Sequence, residues 1–350
     1  MSSRIPGATS ILSQAPSIAS GLLDPGDLVG RVEKRMEELA GDRFADPGAR
    51  MVRDHLETGG KRIRARLALG ACRALGAPPE RAVDWAVAVE LLHNASLIHD
   101  DVQDGDRTRR GRPALWARYG AAQAINAGDL LLMLPFVALG SYPASKQAAL
   151  VQLLARYAER TARGQIRELE LTGSPKKGWD GYFSAVSGKT GTLFALPVHG
   201  AAEVADVPAK AACDLASAFS SIGVLYQLQD DLLDLFDQEG GRPRGSDIFE
   251  GRLSAVLLTH LDLHESDSAD VLSVTAKPRE ATSPDEVAAV IRRFVEDGAA
   301  GQLLTRIDHL AGKLLASDAL KYSEDIYALA TALVARVLAP LEALKGGLHD

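Results

Sequence analysis

Two acidic clusters of identical form, DDVQD at Asp100–Asp104 and DDLLD at Asp230–Asp234, are the residues of this chain best arranged for chemistry. Each places carboxylates at i, i+1 and i+4, and on a helix residues i and i+4 lie one above the other on a single face. Asp100 with Asp104, and Asp230 with Asp234, can each present a pair of hard oxygen ligands, with Asp101 and Asp231 beside them. Such pairs suit Mg²⁺, which takes a few carboxylates, retained waters and phosphate oxygens. One cluster alone reads equally well as a solvated acidic face. Two clusters set in apolar runs (LLHNASLIHDDV and VLYQLQDDLLDLF) point to a shared site able to hold several ions around one diphosphate.

Cationic residues gather around these clusters. His93 precedes Asp100 by about two helical turns, so His93, Asp100 and Asp104 form a polar stripe on an apolar helix, and His99 falls off it. Arg109 and Arg110 follow the first cluster in RTRRGRPALW, and Lys61, Arg62, Arg64 and Arg66 crowd the segment GGKRIRAR. Guanidinium forks and lysine ammonium groups are the chemistry that phosphate recognition needs. SGKTGTLF carries Lys189 and Thr190 between glycines, without the spacing or preceding strand of a nucleotide P-loop. Gln227 stands one turn before the second cluster, and GGRPRGSDIFEGR after it supplies Arg242, Arg244 and Arg252.

Helices must position these groups. Beyond residue 28 the pattern is helical, rich in Ala and Leu and punctuated by Gly and Pro, with no strand alternation. The spacing predicts helices over 28–40, 48–57, 61–75, 79–105, 114–118, 121–139, 144–171, 179–188, 191–202, 208–236, 252–262, 285–297, 299–314 and 318–342. Loops are expected around 174–180, 237–247 and over most of 266–286. The expectation is all-α: a flexible extension over 1–27, then a single large helical domain over 28–350. A net charge of −7 argues against a general nucleic-acid binder. Cys72 and Cys213 are too few for a disulfide framework and read as reduced, buried thiols. No apolar stretch of spanning length lacks charge and the N-terminus lacks a signal-peptide pattern, so no transmembrane helix and a cytoplasmic location are expected.

In order along the chain, GGKRIR, ELLHNASLIHDDVQD, RTRRGRPALW, INAGDLLL, GQIRE, GKTGTLF, YQLQDDLLD and GSDIFEGR resemble the trans-isoprenyl diphosphate synthase (polyprenyl synthase) family. The resemblance implies an isoprenoid-synthase bundle around a central apolar tunnel, and usually a homodimer, for which the 121–139 helix is a candidate face. It implies Mg²⁺-dependent head-to-tail condensation of isopentenyl diphosphate with an allylic diphosphate. By it, Asp100, Asp104 and Asp230 are the principal metal ligands, supported by Asp101, Asp231 and Asp234. Lys61, Arg64, His93 and Arg110 match the isopentenyl diphosphate positions; Arg109, Lys189, Thr190 and Gln227 match the allylic ones. Arg242 and Arg252 stand where the family usually carries lysine, and Glu168 where it usually carries aspartate.

In that family, aromatics four and five residues before the first aspartate close the tunnel at farnesyl length. This chain has Ser96 and Ala95 there, which leaves the floor open, and Leu92, Met133 and Phe136 are expected to form a deeper stop. Geranylgeranyl diphosphate is therefore the expected product, with farnesyl diphosphate or a somewhat longer chain as alternatives. The competing readings are a class I terpene cyclase, which would not need the second basic site, and a non-catalytic subunit of a heteromeric synthase, which would not need both acidic clusters.

Overall fold

The computed structural model describes residues 21–172, 178–236 and 244–348. Its main helices are α1 (Leu28–Ala40), α2 (Pro47–Leu56), α3 (Ile63–Ala74), α4 (Val83–Asp104), α5 (Leu115–Tyr119), α6 (Ala121–Ala138), α7 (Ala144–Leu171) and α8 (Gly178–Val186). They continue as α9 (Thr192–Val204), α10 (Ala209–Leu233), α11 (Ser246–Phe249), α12 (Ala255–Leu263), α13 (Ala269–Thr275), α14 (Pro284–Glu296), α15 (Ala299–Leu315) and α16 (Glu324–Leu348). Local chemistry sets several of the starts. Asp46 accepts from the Gly48 and Ala49 amides ahead of Pro47, and Ser283 with Glu286 forms a reciprocal capping box before α14.

Helices α4 and α10, which carry the acidic clusters, are buried over most of their circumference, so they occupy the centre of the bundle. Helix α6 lies along α4, while α3, α9 and α10 pack in succession. The all-α expectation holds, with local corrections. Helix α3 starts at Ile63 because Arg62 adopts a left-handed conformation (φ 47°). The 266–286 segment contains α13 and short 3₁₀ turns.

A two-residue antiparallel pair, Thr108–Arg109 with Arg112–Pro113, adds the only sheet among the described residues. Its turn residues Arg110 and Gly111 both have positive φ, the mirror-image turn that matches the twist of paired strands.

Residues 21–27 do not behave as a flexible extension, because Leu22 and Leu23 are buried in the core and the Leu22 carbonyl lies against Gly70. Cys72 is buried as expected, but Cys213 is exposed on α10. The segment 121–141 is, by length and composition, apolar enough to span a membrane, since Asp129 is its single charge. Its small residues Ala124, Ala127 and Gly128 are buried, and Gly128 sits where any Cβ would strike the His99 ring of α4.

Candidate active site

A cavity of about 940 Å³ opens between α3, α4, α7, α10 and the turn joining α8 to α9. The expected α4 stripe of His93, Asp100 and Asp104 lines it, and so do Leu92, Ser96, Leu97 and His99, the last expected off the stripe. Asp230, Gln227, Lys189, Thr190, Lys61, Arg64, Arg109, Arg110 and Arg252 complete most of its polar wall. Arg242 lies outside the described residues.

The six aspartates divide into two groups. Asp100, Asp104 and Asp230 face the cavity. Asp101 is buried against Arg109, whose Nε donates to its Oδ1 at 2.9 Å. Asp231 is buried and accepts from Tyr182 Oη (2.7 Å), Gln227 Nε2 (2.9 Å) and the Ala255 amide (2.7 Å). Asp234 accepts from the Ser246 hydroxyl (2.6 Å) and from the Ser246 and Asp247 amides (3.1 and 3.0 Å). These three were expected among the ligands and catalytic groups. None of the three lines the cavity: both carboxylate oxygens of Asp231 and of Asp234 accept from protein donors, and Asp101 Oδ1 accepts from Arg109.

Electrostatics follow from burial. Burial pushes the Asp100 carboxyl up to about 6, and Asp104 adds to the rise while Lys189 opposes it. Burial also raises Asp231, and it raises Asp247, where Asp234 and Asp231 reinforce the effect. Lys189 Nζ lies 2.6 Å from Glu168 and 3.6 Å from Asp100. Burial works to lower its ammonium pKa, but Glu168 and Asp100 prevail and raise it. Arg252, on the cavity wall, pairs with Asp104 (2.7 Å) and Glu250 (2.6 Å); despite burial, Asp247, Asp104 and Glu250 hold it firmly protonated. Hard carboxylate oxygens line this one cavity, beside a carboxyl raised by desolvation, which is the donor chemistry a divalent cation takes. Asp100, Asp104 and Asp230 therefore fit Mg²⁺.

The basic end is built differently. Arg64 donates to His93 Nε2 at 2.9 Å and stacks over the Phe194 ring. Burial, aided by Arg64, drives the His93 pKa well below its ordinary value, so the imidazole is neutral. Arg110 at the hairpin tip reaches the Gly59 carbonyl, and a Cβ on Gly60 would collide with its guanidinium.

On the opposite wall, Ser187–Gly191 forms a π-helical turn that projects Lys189 and Thr190. Backbones meet there at close range: a Cβ on Gly164 would fall 2.3 Å from the Lys189 amide nitrogen, and one on Gly223 2.8 Å from Gly191 Cα. Thr190 Oγ1 donates to Gln227 Oε1 at 2.9 Å, and Gln227 Nε2 donates to Asp231. That relay fixes the direction of both dipoles.

Sequence reasoning missed Glu90, His99, Gln103 and Gln165 as wall residues. Glu90 lies three residues before His93 and could have been found on the same stripe; it accepts from the Ala65 amide at 2.9 Å. The expected chain-length positions separate as well. Leu92 and Ser96 line the cavity, fully buried Ala95 lies outside its wall, and Met133 and Phe136 are on the outer face of α6. Leu132 of α6 reaches the cavity instead.

Residues 48–294 match the polyprenyl synthetase family model. The chain belongs to that family. Among relatives, it is 35% identical to a short chain isoprenyl diphosphate synthase of Methanocaldococcus jannaschii, over 61% of this chain and 65% of that one. It is 31% identical to a geranylgeranyl diphosphate synthase of Methanosarcina mazei, over 69% of this chain and 79% of that one. Among solved structures, the geranylgeranyl pyrophosphate synthetase of Pyrococcus horikoshii superposes with a TM-score of 0.78 at 27% identity, covering 91% of this chain and 97% of the other. The family's architecture thus spans nearly the whole chain, while the sequence matches span about two thirds of it.

Proposed function

We propose that this chain catalyses Mg²⁺-dependent, head-to-tail condensation of isopentenyl diphosphate with an allylic diphosphate, and that its main product is geranylgeranyl diphosphate. The observation that carries the reading is one cavity whose wall holds three aspartates, two separate cationic groups and an apolar stretch. Lys61, Arg64, His93 and Arg110 bind the diphosphate of isopentenyl diphosphate. Neutral His93 orients Arg64 without adding a charge to an already cationic subsite. Lys189, Arg252 and Arg109 face the allylic diphosphate.

Asp100, Asp104 and Asp230 would hold Mg²⁺, which when bound supplies positive charge to the departing diphosphate. Lys189 and Arg252, on the wall of the same cavity, add positive charge for the departing diphosphate as the allylic C–O bond ionises. Because Thr190 gives its proton to Gln227, its hydroxyl lone pairs are left for the allylic cation. The isopentenyl double bond attacks that cation, and loss of a proton, taken up by the released diphosphate, completes the longer chain. Leu92, Leu97, Leu132, Ala158, Ala162 and Leu193 keep water from the cation and receive the tail. From Asp104 back to Leu92 the wall follows about 18 Å of helix.

Ser96 supports a product beyond farnesyl length, because no aromatic ring blocks the wall there. A homodimer is part of the proposal. Ile125, Leu130, Met133 and Val137 are exposed along α6 opposite its buried small residues, the kind of apolar face a second copy would cover.

The test is incubation of purified protein with isopentenyl diphosphate, each allylic primer and Mg²⁺, followed by sizing of the products. Linear geranylgeranyl diphosphate supports the proposal. Cyclised hydrocarbon, or no turnover without a second polypeptide, would replace it.

A further inference from the structure

We propose that His260, His264 and Asp297 form a second metal site, distinct from the acidic cavity and selective for a borderline transition-metal ion such as Zn²⁺. The three side chains converge with one ligand atom each, all within 4.8 Å of one another. None of them lines the cavity described above. His260 and His264 stand at i and i+4 at the end of α12, so one helix turn brings their rings together, with centroids 5.3 Å apart. Asp297 comes from the junction of α14 and α15. Its Oδ1 accepts from the Ala299 amide at 3.1 Å, which turns Oδ2 toward the histidines.

The distances suit a small ion. His260 Nδ1 lies 2.6 Å and His264 Nε2 3.8 Å from Asp297 Oδ2. Tetrahedral zinc with ordinary bond lengths needs ligand atoms about 3.3 Å apart, a value these two separations bracket. The Asp297 carbonyl, 3.1 Å from His264 Nε2, is a further oxygen within reach of the same point.

Burial is graded in a useful way. The His260 side chain is fully buried and Asp297 is 9% exposed, which holds both in place, while His264 is 31% exposed and offers an entry path. Two imidazoles and one carboxylate favour Zn²⁺, Co²⁺ or Ni²⁺ over Mg²⁺, which prefers oxygen donors throughout.

One group competes with the ion. Arg293 Nε sits 3.6 Å from Asp297 Oδ2 without a hydrogen-bond partner, while its Nη2 pairs with exposed Asp267. A bound cation at Oδ2 displaces this guanidinium toward solvent. The ion would clip the end of α12 to the α14–α15 corner.

The experiment uses full-length, tag-free protein stripped with chelator and titrated with Co²⁺ in excess Mg²⁺, which occupies the carboxylate cavity. Visible absorption of a nitrogen-ligated, low-coordinate Co²⁺ should appear and saturate at a single equivalent, and Zn²⁺ should abolish it. His264→Ala should weaken binding at least about tenfold, and Asp100→Asn should leave it unchanged. Arg293→Gln should bind several-fold more tightly, a gain that a folding defect cannot imitate. Absence of the absorption, its survival in His264→Ala, or no gain in Arg293→Gln would overturn the site and leave the cluster as a hydrogen-bonded link between helices.

Discussion

Arg252 Nη2 lies 2.7 Å from Asp104 Oδ2, which joins the segment after the second acidic helix to the last turn of the first. This guanidinium pairs with an Asp104 oxygen that would otherwise be offered to Mg²⁺. Removing it takes away both a competitor for the metal and a cation for the diphosphate. Arg252→Met is therefore expected to tighten Mg²⁺ binding to the free protein while lowering kcat/KM for the allylic substrate by about 10- to 100-fold. Calorimetry and steady-state kinetics read the two effects separately, and a variant with unchanged kinetics would remove Arg252 from the allylic subsite.

The split among the aspartates predicts two phenotypes. Asp100→Ala and Asp230→Ala should reduce turnover by orders of magnitude with little loss in thermal stability. Asp234→Ala should lower the melting temperature, because it strands the buried Ser246 donors at about 1–3 kcal/mol for each unsatisfied group. Thermal denaturation beside activity assays distinguishes them. Equal melting temperatures for all three variants would show that Asp234 does not hold the loop.

Neighbouring arginines should also differ. Arg110→Ala is expected to raise mainly the KM for isopentenyl diphosphate. Arg109→Ala should affect the allylic substrate and destabilise the fold as well, since it leaves buried Asp101 without its guanidinium. The reverse pattern of Michaelis constants would exchange the two assignments.

Proton competition sets a pH dependence. Asp100 titrates near 6, above the ordinary aspartate value, so it is ionised at pH 7 and increasingly protonated below 6. Half-saturating Mg²⁺ should rise as pH falls through that range, by up to about tenfold per pH unit. Without metal the sign for stability is opposite to that of a salt-bridged aspartate. A raised pKa favours folding at low pH, and that contribution fades as pH climbs from about 4 to 6. A Mg²⁺ requirement that is flat between pH 5 and 7 would contradict the Asp100 assignment.

Product length should respond to Ser96 and not to Ala95. Ser96→Phe places a ring in the cavity wall and is expected to shorten the product. Ala95→Phe overfills a fully buried site outside that wall and should cost about 1–3 kcal/mol of stability instead. Met133→Ala, on the exposed face of α6, should weaken self-association measured by light scattering. A shortened product from a stably folded Ala95→Phe would return that residue to the tunnel.

Periodicity alone determined the helical fold and the stripe of His93, Asp100 and Asp104, because residues one or two turns apart on a helix share a face whatever surrounds it. The ordered motifs likewise determined the family. What a helix period cannot state is which side of an acidic cluster meets the cavity. That depended on Tyr182, the Ala255 amide and Ser246, which approach from other segments and donate to Asp231 and Asp234. The same reason explains His99, expected outside the stripe but brought into the wall beside α6, and Met133 and Phe136, left facing outward. The His260, His264 and Asp297 cluster was invisible in the sequence because its third member comes from another helix junction, and only packing of α12 against that corner brings the three together.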